Sequence, residues 1–187
     1  MKLDPKTTAV LTLDFQKGIL SMVPGSESVV DTAAKVVAFA RKNNFCLIHV
    51  GLGFNEGHPE IPEHAGFAQL KQNNLFVKGS PSAEFDARLI QPHDLIMHKQ
   101  RISAFSENQL SMILRAKGIK TLILFGVATS GIVLSTLRQA FDLDYKSIVI
   151  KDACADGDAE VHRVLTEKIF LRQATVTTAD VFIAEQG

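Results

Sequence analysis

Hydrophobic residues along the 187-residue chain alternate between short unbroken runs and longer stretches of helical period. Residues 8–13 form the first run and close on Asp14. Residues 29–42 set Val30, Ala33, Ala34, Val37 and Ala40 on one side of a helix. Residues 45–50 read as a second buried strand. Residues 51–92 carry Gly, Pro and Asn throughout and predict a short helix and loops laid over one face. A third strand falls at 94–98. A helix is expected over 106–117, opened by a capping box at Ser106-Glu-Asn-Gln109 and stopped by Gly118. Strand four is 121–125, followed by a helix to about residue 143. Strand five is 147–150, a helix covers 159–170, strand six is 174–177, and a short tail closes the chain.

Short apolar strands separated by helices require right-handed crossovers and a mostly parallel sheet covered on both faces. The predicted fold is a six-stranded, three-layer α/β/α domain spanning residues 1–187. With 46% hydrophobic residues the chain can bury a substantial core.

Charge narrows the choice of partner. Twenty basic and 20 acidic residues balance to a formal net charge of zero, without a long run of one sign. Nucleic-acid grooves and membrane surfaces need concentrated Lys and Arg, so neither is expected as a partner. No stretch approaches the roughly 20 apolar residues that span a bilayer. The first residues carry charge and lack a signal-peptide core. Two distant cysteines, Cys46 and Cys154, fit a reducing, cytoplasmic setting. Neutrality also favours self-association.

In parallel α/β sheets, ligands sit beyond the carboxyl ends of the strands, where the strand order reverses. The residues there are Asp14, 51–55, Lys99, 126–132 and Asp152. Taken singly they say little. An aspartate after a strand often caps a turn, and a lysine at a strand end is ordinarily a solvated charge. Gly51, Gly53 and Gly57 miss the dinucleotide fingerprint spacing and follow the second strand rather than the first. No cofactor is expected.

The segment Gly126-Val-Ala-Thr-Ser-Gly-Ile-Val-Leu-Ser-Thr136 turns from a strand into a helix. It resembles the nucleophile loop of the isochorismatase-like hydrolases, Gly-x-x-Thr-x-x-Cys-Val-x-x-Thr. Gly126, Thr129, Val133 and Thr136 match, and Ile132 stands in the Cys slot. Lys99, Ser103, Ala104 and Phe105 resemble the segment carrying the family's essential lysine. Asp14 and Gln16 resemble its Asp-x-Gln. The resemblance runs through nearly the whole chain in order and spacing. It implies sheet order 3-2-1-4-5-6, a small-molecule substrate, a homo-oligomer (dimer or larger), and a cis peptide at Val127–Ala128. It further implies Asp14 and Lys99 as catalytic residues. Gln16, Phe105, Val127, Ala128 and Ile132 would contact substrate, with backbone N–H groups between Ala128 and Ile132 orienting it.

Ile132 cannot form a covalent intermediate. A register slip would break the Thr129 and Thr136 matches, and Ser130 reads as a cap for the helix start. Cys154 lies past strand five and leaves a thiol amidohydrolase open as an alternative, while Cys46 reads as packing. Some members of the resembled family use no thiol: the Asp passes a proton to a vinyl ether and water attacks. That route needs a desolvated, protonated Asp. A catalytically silent relative that binds a ligand or partner protein is the third reading. No metal is expected, because His58, Glu60 and His64 lack the family's Asp-x-His pattern and read as a polar surface loop. Phe54, Phe67 and Phe76 are candidates for a pocket lid.

Overall fold

The computed structural model describes residues 2–187. The strands are β1 (Thr8–Leu13), β2 (Cys46–Leu52), β3 (Leu95–Lys99), β4 (Thr121–Gly126), β5 (Lys146–Ile150) and β6 (Thr175–Thr177). They form one sheet of order β3-β2-β1-β4-β5-β6 with every pairing parallel. Every residue of β1 is buried. A strand covered on both faces needs no polar alternation, which is why its sequence is an unbroken apolar run with threonines.

The helices are α1 (Lys17–Leu20), α2 (Ser26–Lys42), α3 (Ala68–Gln72), α4 (Leu110–Ala116), α5 (Leu134–Asp142), α6 (Ala159–Val164) and α7 (Ala179–Gln186). Helix α2 leads from β1 outward to β2, whereas α5 leads from β4 to β5 in the opposite direction. Right-handed crossovers in opposite directions put those helices on opposite faces. The direction reverses between β1 and β4, so the crevice opens at their carboxyl ends, after Leu13 and Gly126.

Several local expectations are corrected. The helix expected from Ser106 begins at Leu110, because Glu107 adopts a left-handed φ of 52° that no helix interior accepts. The first-turn donor of Leu110 is taken by Asn108 Oδ1, so the Ser106 capping box does not form. The tail is helical: α7 is capped by Thr178, whose hydroxyl accepts from Val181 N–H, and packs on α2. The segment after β4 makes a π-helical turn, Thr129–Val133, before α5. Ser130 is exposed and caps nothing. The 51–92 segment contributes α3 and a small core of its own, with Leu52, Phe54, Ile61 and Phe76 buried together.

Candidate active site

Asp14 is the first residue beyond β1. Its φ of 55° turns the chain out of the sheet while its N–H still reaches Val50 O at 2.8 Å. Lys99 is the last residue of β3, and β2 runs between the two strands. The lysine stem reaches across, placing Nζ 3.0 Å from Asp14 Oδ2 and donating to Arg101 O at 3.1 Å. Both side chains are buried, Asp14 5% and Lys99 1% exposed. The second carboxylate oxygen, Oδ1, is buried with no hydrogen-bond partner. Burial pushes the Asp14 carboxyl above its ordinary range, and the Lys99 charge and hydrogen bond offset part of that rise.

A hollow of about 370 Å³ opens over this pair. Asp14 and Lys99 share its wall with Val127, Ala128, Gly131 and Ile132 from the loop after β4. Ile19, Met22, Phe67 and Phe76 close the far side. A larger hollow, about 710 Å³, lies at the opposite, amino-terminal edge of the sheet around Thr8, Thr121 and Thr175, away from the buried ion pair. The smaller one holds the buried acid–ammonium pair and is the candidate site.

The loop after β4 is held from several sides. Gly126 is required by close approach: a Cβ there would lie 2.1 Å from Leu13 O. Val127 N–H donates to Leu13 O at 3.1 Å, and the Val127–Ala128 peptide is cis. Thr129 N–H donates to Ala155 O, Ser130 N–H to Asp156 Oδ2, and Gly131 and Val133 N–H both to Ala128 O. Those donors are committed within the protein. Thr129 Oγ1 pairs with His162 Nδ1 at 2.8 Å. Thr136 Oγ1 accepts Ala104 N–H at 3.0 Å, and Ser103 Oγ donates to Gln139 at 2.6 Å. The Ser-Ala-Phe stretch thereby fixes the exit of β3 against α5, and with it the position of Lys99.

Residues 8–181 match the Isochorismatase domain family. The chain belongs to the isochorismatase family. It is similar to the isochorismatase family protein YwoC of Bacillus subtilis, 32% identical over 190 residues covering 99% of this chain and 97% of that protein. It is also similar to the ureidoacrylate amidohydrolase RutB of Caulobacter vibrioides, 33% identical over 177 residues, 82% of this chain and 79% of that one. A cysteine hydrolase from Pseudomonas syringae shares the fold, with a TM-score of 0.90 at 23% identity over 100% of this chain and 95% of its own. Hydrolase chemistry and an α/β domain with this strand order are features of this isochorismatase-family chain.

The isochorismatase-family site gathers Asp14, Lys99, Val127, Ala128 and Ile132 and leaves two sequence candidates outside. Gln16 is fully buried and spent on structure: its Nε2 donates to Leu52 O and Ala83 O at 2.8 Å each, and its Oε1 accepts Leu52 N–H at 2.7 Å. Phe105 is turned into the main core, where it stacks on Tyr145 at 5.9 Å between ring centres. Cys154 is buried off the cavity wall, its Sγ donating to Ile150 O at 3.3 Å, and burial pushes its thiol up to about 12. Cys46 is half-buried within β2.

Of the remaining candidates, His58 is not on a surface loop. It is 1% exposed, with Nε2 2.7 Å from Leu75 O. Glu60 Oε1 accepts from Asn55 N and Nδ2, and His64 is exposed. Among the described residues no group of three or more His, Cys, Asp or Glu side chains converges on a metal position. Phe54 is core, while half-buried Phe67 and Phe76, itself part of the small core, both line the cavity. Sequence reasoning passed over Ile19, Met22 and Ile102, which line the hollow. Ile19 lies in the four-residue helix α1, and Met22 and Ile102 lie in irregular segments, so none belongs to a stretch long enough to show a period, and their only signal was an apolar residue near a candidate strand end.

Proposed function

We propose that this isochorismatase-family chain hydrolyses a small molecule by an acid–base route in which Asp14 and Lys99 do the work and no thiol takes part. The observation that carries the proposal is Asp14 Oδ1, a buried oxygen without a protein partner on a carboxyl that also lines the cavity. Lys99 holds the other oxygen. Desolvation favours the protonated carboxyl, so Asp14 is suited to deliver a proton to substrate, after which water completes the cleavage. Lys99 limits how far the carboxyl rises and presents a positive charge to a substrate oxygen. RutB, an amidohydrolase by name, makes an amide one reasonable first substrate class to try, beside esters and vinyl ethers. The whole span 1–187 acts as one unit in this reading, and a cytoplasmic setting without added cofactor belongs to it.

Turnover is to be screened over amides, esters and vinyl ethers, then remeasured in two variants. Asp14→Asn is expected to lower the rate about a hundred- to ten-thousandfold, with Cys154→Ala unchanged. The opposite pattern would return the chemistry to the thiol. The second reading, a silent family member that binds a ligand or partner protein, is favoured by one observation. Ile132, only 2% exposed, fills the loop position where the resemblance sets a nucleophile. Ligand binding without turnover over the whole panel would select it.

A further inference from the structure

The hollow over Asp14 has a neighbour. A second lobe of about 300 Å³ shares Gly66, Phe67 and Ile102 with it, so the two adjoin across those residues. Ile61, Pro62 and Ala65 line the second lobe with hydrocarbon, and the one charged side chain on its wall is Arg101. That guanidinium is half-buried. It spends one N–H on Gln100 O at 2.7 Å and one on Glu60 O at 3.2 Å, both neutral backbone acceptors. A guanidinium has five N–H donors, so most of the fork is left over. Among the described residues no carboxylate comes within ion-pair distance of it. The carboxylate of Glu60 is itself taken up by Asn55. Lys99, the other cation near the site, is already paired with Asp14.

We propose that the two lobes form one substrate site and that Arg101 selects its ligand: a small molecule with an apolar body over Asp14 and Lys99 and an anionic group at the far end, held by Arg101. The proposal rests on the cavity over Asp14 being the substrate site, but not on any route of cleavage. The walls of both lobes reject a uniformly polar substrate, since its groups would lose water and find no partners. A carboxylate at Arg101 meets a planar fork that suits it, attached to a loop whose backbone already fixes the guanidinium. Arg101 is also the residue whose carbonyl accepts from Lys99 Nζ, so the anion end and the reacting end are tied through one peptide.

Titration calorimetry with 4-phenylbutyrate and its uncharged counterpart, 4-phenylbutyramide, tests this without turnover. The wild-type chain is expected to bind the acid about tenfold or more tightly than the amide. Arg101→Gln should erase that preference and leave the amide affinity unchanged. Arg101→Lys, which keeps the charge and loses the fork, should retain part of it, and unchanged thermal melting in either variant shows that the loop still folds. Equal binding of acid and amide by the wild type, binding of neither at millimolar concentration, or a preference that survives Arg101→Gln would each overturn the proposal. A preference lost in Lys99→Met but kept in Arg101→Gln would assign the anion to Lys99 instead. The outcome is independent of the Asp14→Asn rate, so failure of the acid–base reading and failure of this one are distinguishable.

Discussion

Asp14 and Lys99 meet in this site through an unequal sharing of oxygens: one faces an ammonium, the other faces no protein donor. The sign of the resulting pH dependence follows. If Asp14 reacts as an acid, turnover holds on the acid side and falls as pH rises through its raised pKa. Removing Lys99 takes away both influences that pull the carboxyl down. In Lys99→Met the descending limb of the kcat/KM profile is therefore expected to move to higher pH, by about 1–3 units, with a lower plateau. A limb that stays in place belongs to some other group. Neither this pairing nor the orphan oxygen was legible from spacing. Each residue ends an apolar run, which marked it as worth inspecting, but β2 lies between them and no periodicity spans that gap. Their convergence was anticipated only through the family-like motifs. Gln16 and Phe105 belong to the same motifs and face structure instead, so a motif identified the neighbourhood without sorting the residues within it.

At the scale of elements, the strands were legible because parallel strands buried on both faces are unbroken apolar runs. The helix ends were not. The start of α4 depends on one left-handed residue, Glu107, which no composition rule marks. Helix α7 buries Ala179 and Phe182 while leaving Val181 exposed, too narrow a stripe to show as a period. One buttress between elements yields a stability prediction. His49 of β2 is buried, with Nδ1 2.7 Å from Thr12 Oγ1 of β1 and Nε2 3.2 Å from Asp94 Oδ2, which also pairs with Arg41 of α2. Burial holds its folded pKa at about 4, below the ordinary 6.5. The neutral ring's contribution is thus complete above pH 6.5 and is lost as pH falls toward 4, because the unfolded chain takes up the proton first. The loss is about 3 kcal/mol over that window. Urea unfolding at pH 7 and pH 4.5 should show the wild type losing more stability than His49→Gln. Equal acid losses would mean that other groups set the slope.

Across the whole molecule, the strand order was expected from the family resemblance and is found, and its reversal between β1 and β4 is what opens the candidate site at the carboxyl edge of the sheet. The apolar walls of the site were the illegible part, since they come from residues 51–92 and from the short segments around Ile19, Met22 and Ile102, which pack by shape and leave no period in the sequence. No helix among the described residues is long and apolar enough to cross a membrane. Self-association remains a proposal, supported by the zero formal charge and by the exposed apolar side chains Met112, Phe141, Leu143 and Leu171. Sedimentation equilibrium is expected to give a dimer or larger species, and a monomer at all micromolar concentrations would dismiss it.

Both thiols lie away from the hollow, Cys154 buried just past β5 and Cys46 along β2, and the one sulfur on its wall is the thioether of Met22. Peroxide disables hydrolases of the cysteine kind by climbing from sulfenic to sulfinic acid at the attacking atom. If the proposed carboxyl–ammonium route holds, no thiolate at the reacting centre is offered to that oxidant, and turnover is expected to survive a peroxide dose that silences a thiol-dependent hydrolase, with oxidation of Met22 changing only the wall of the hollow.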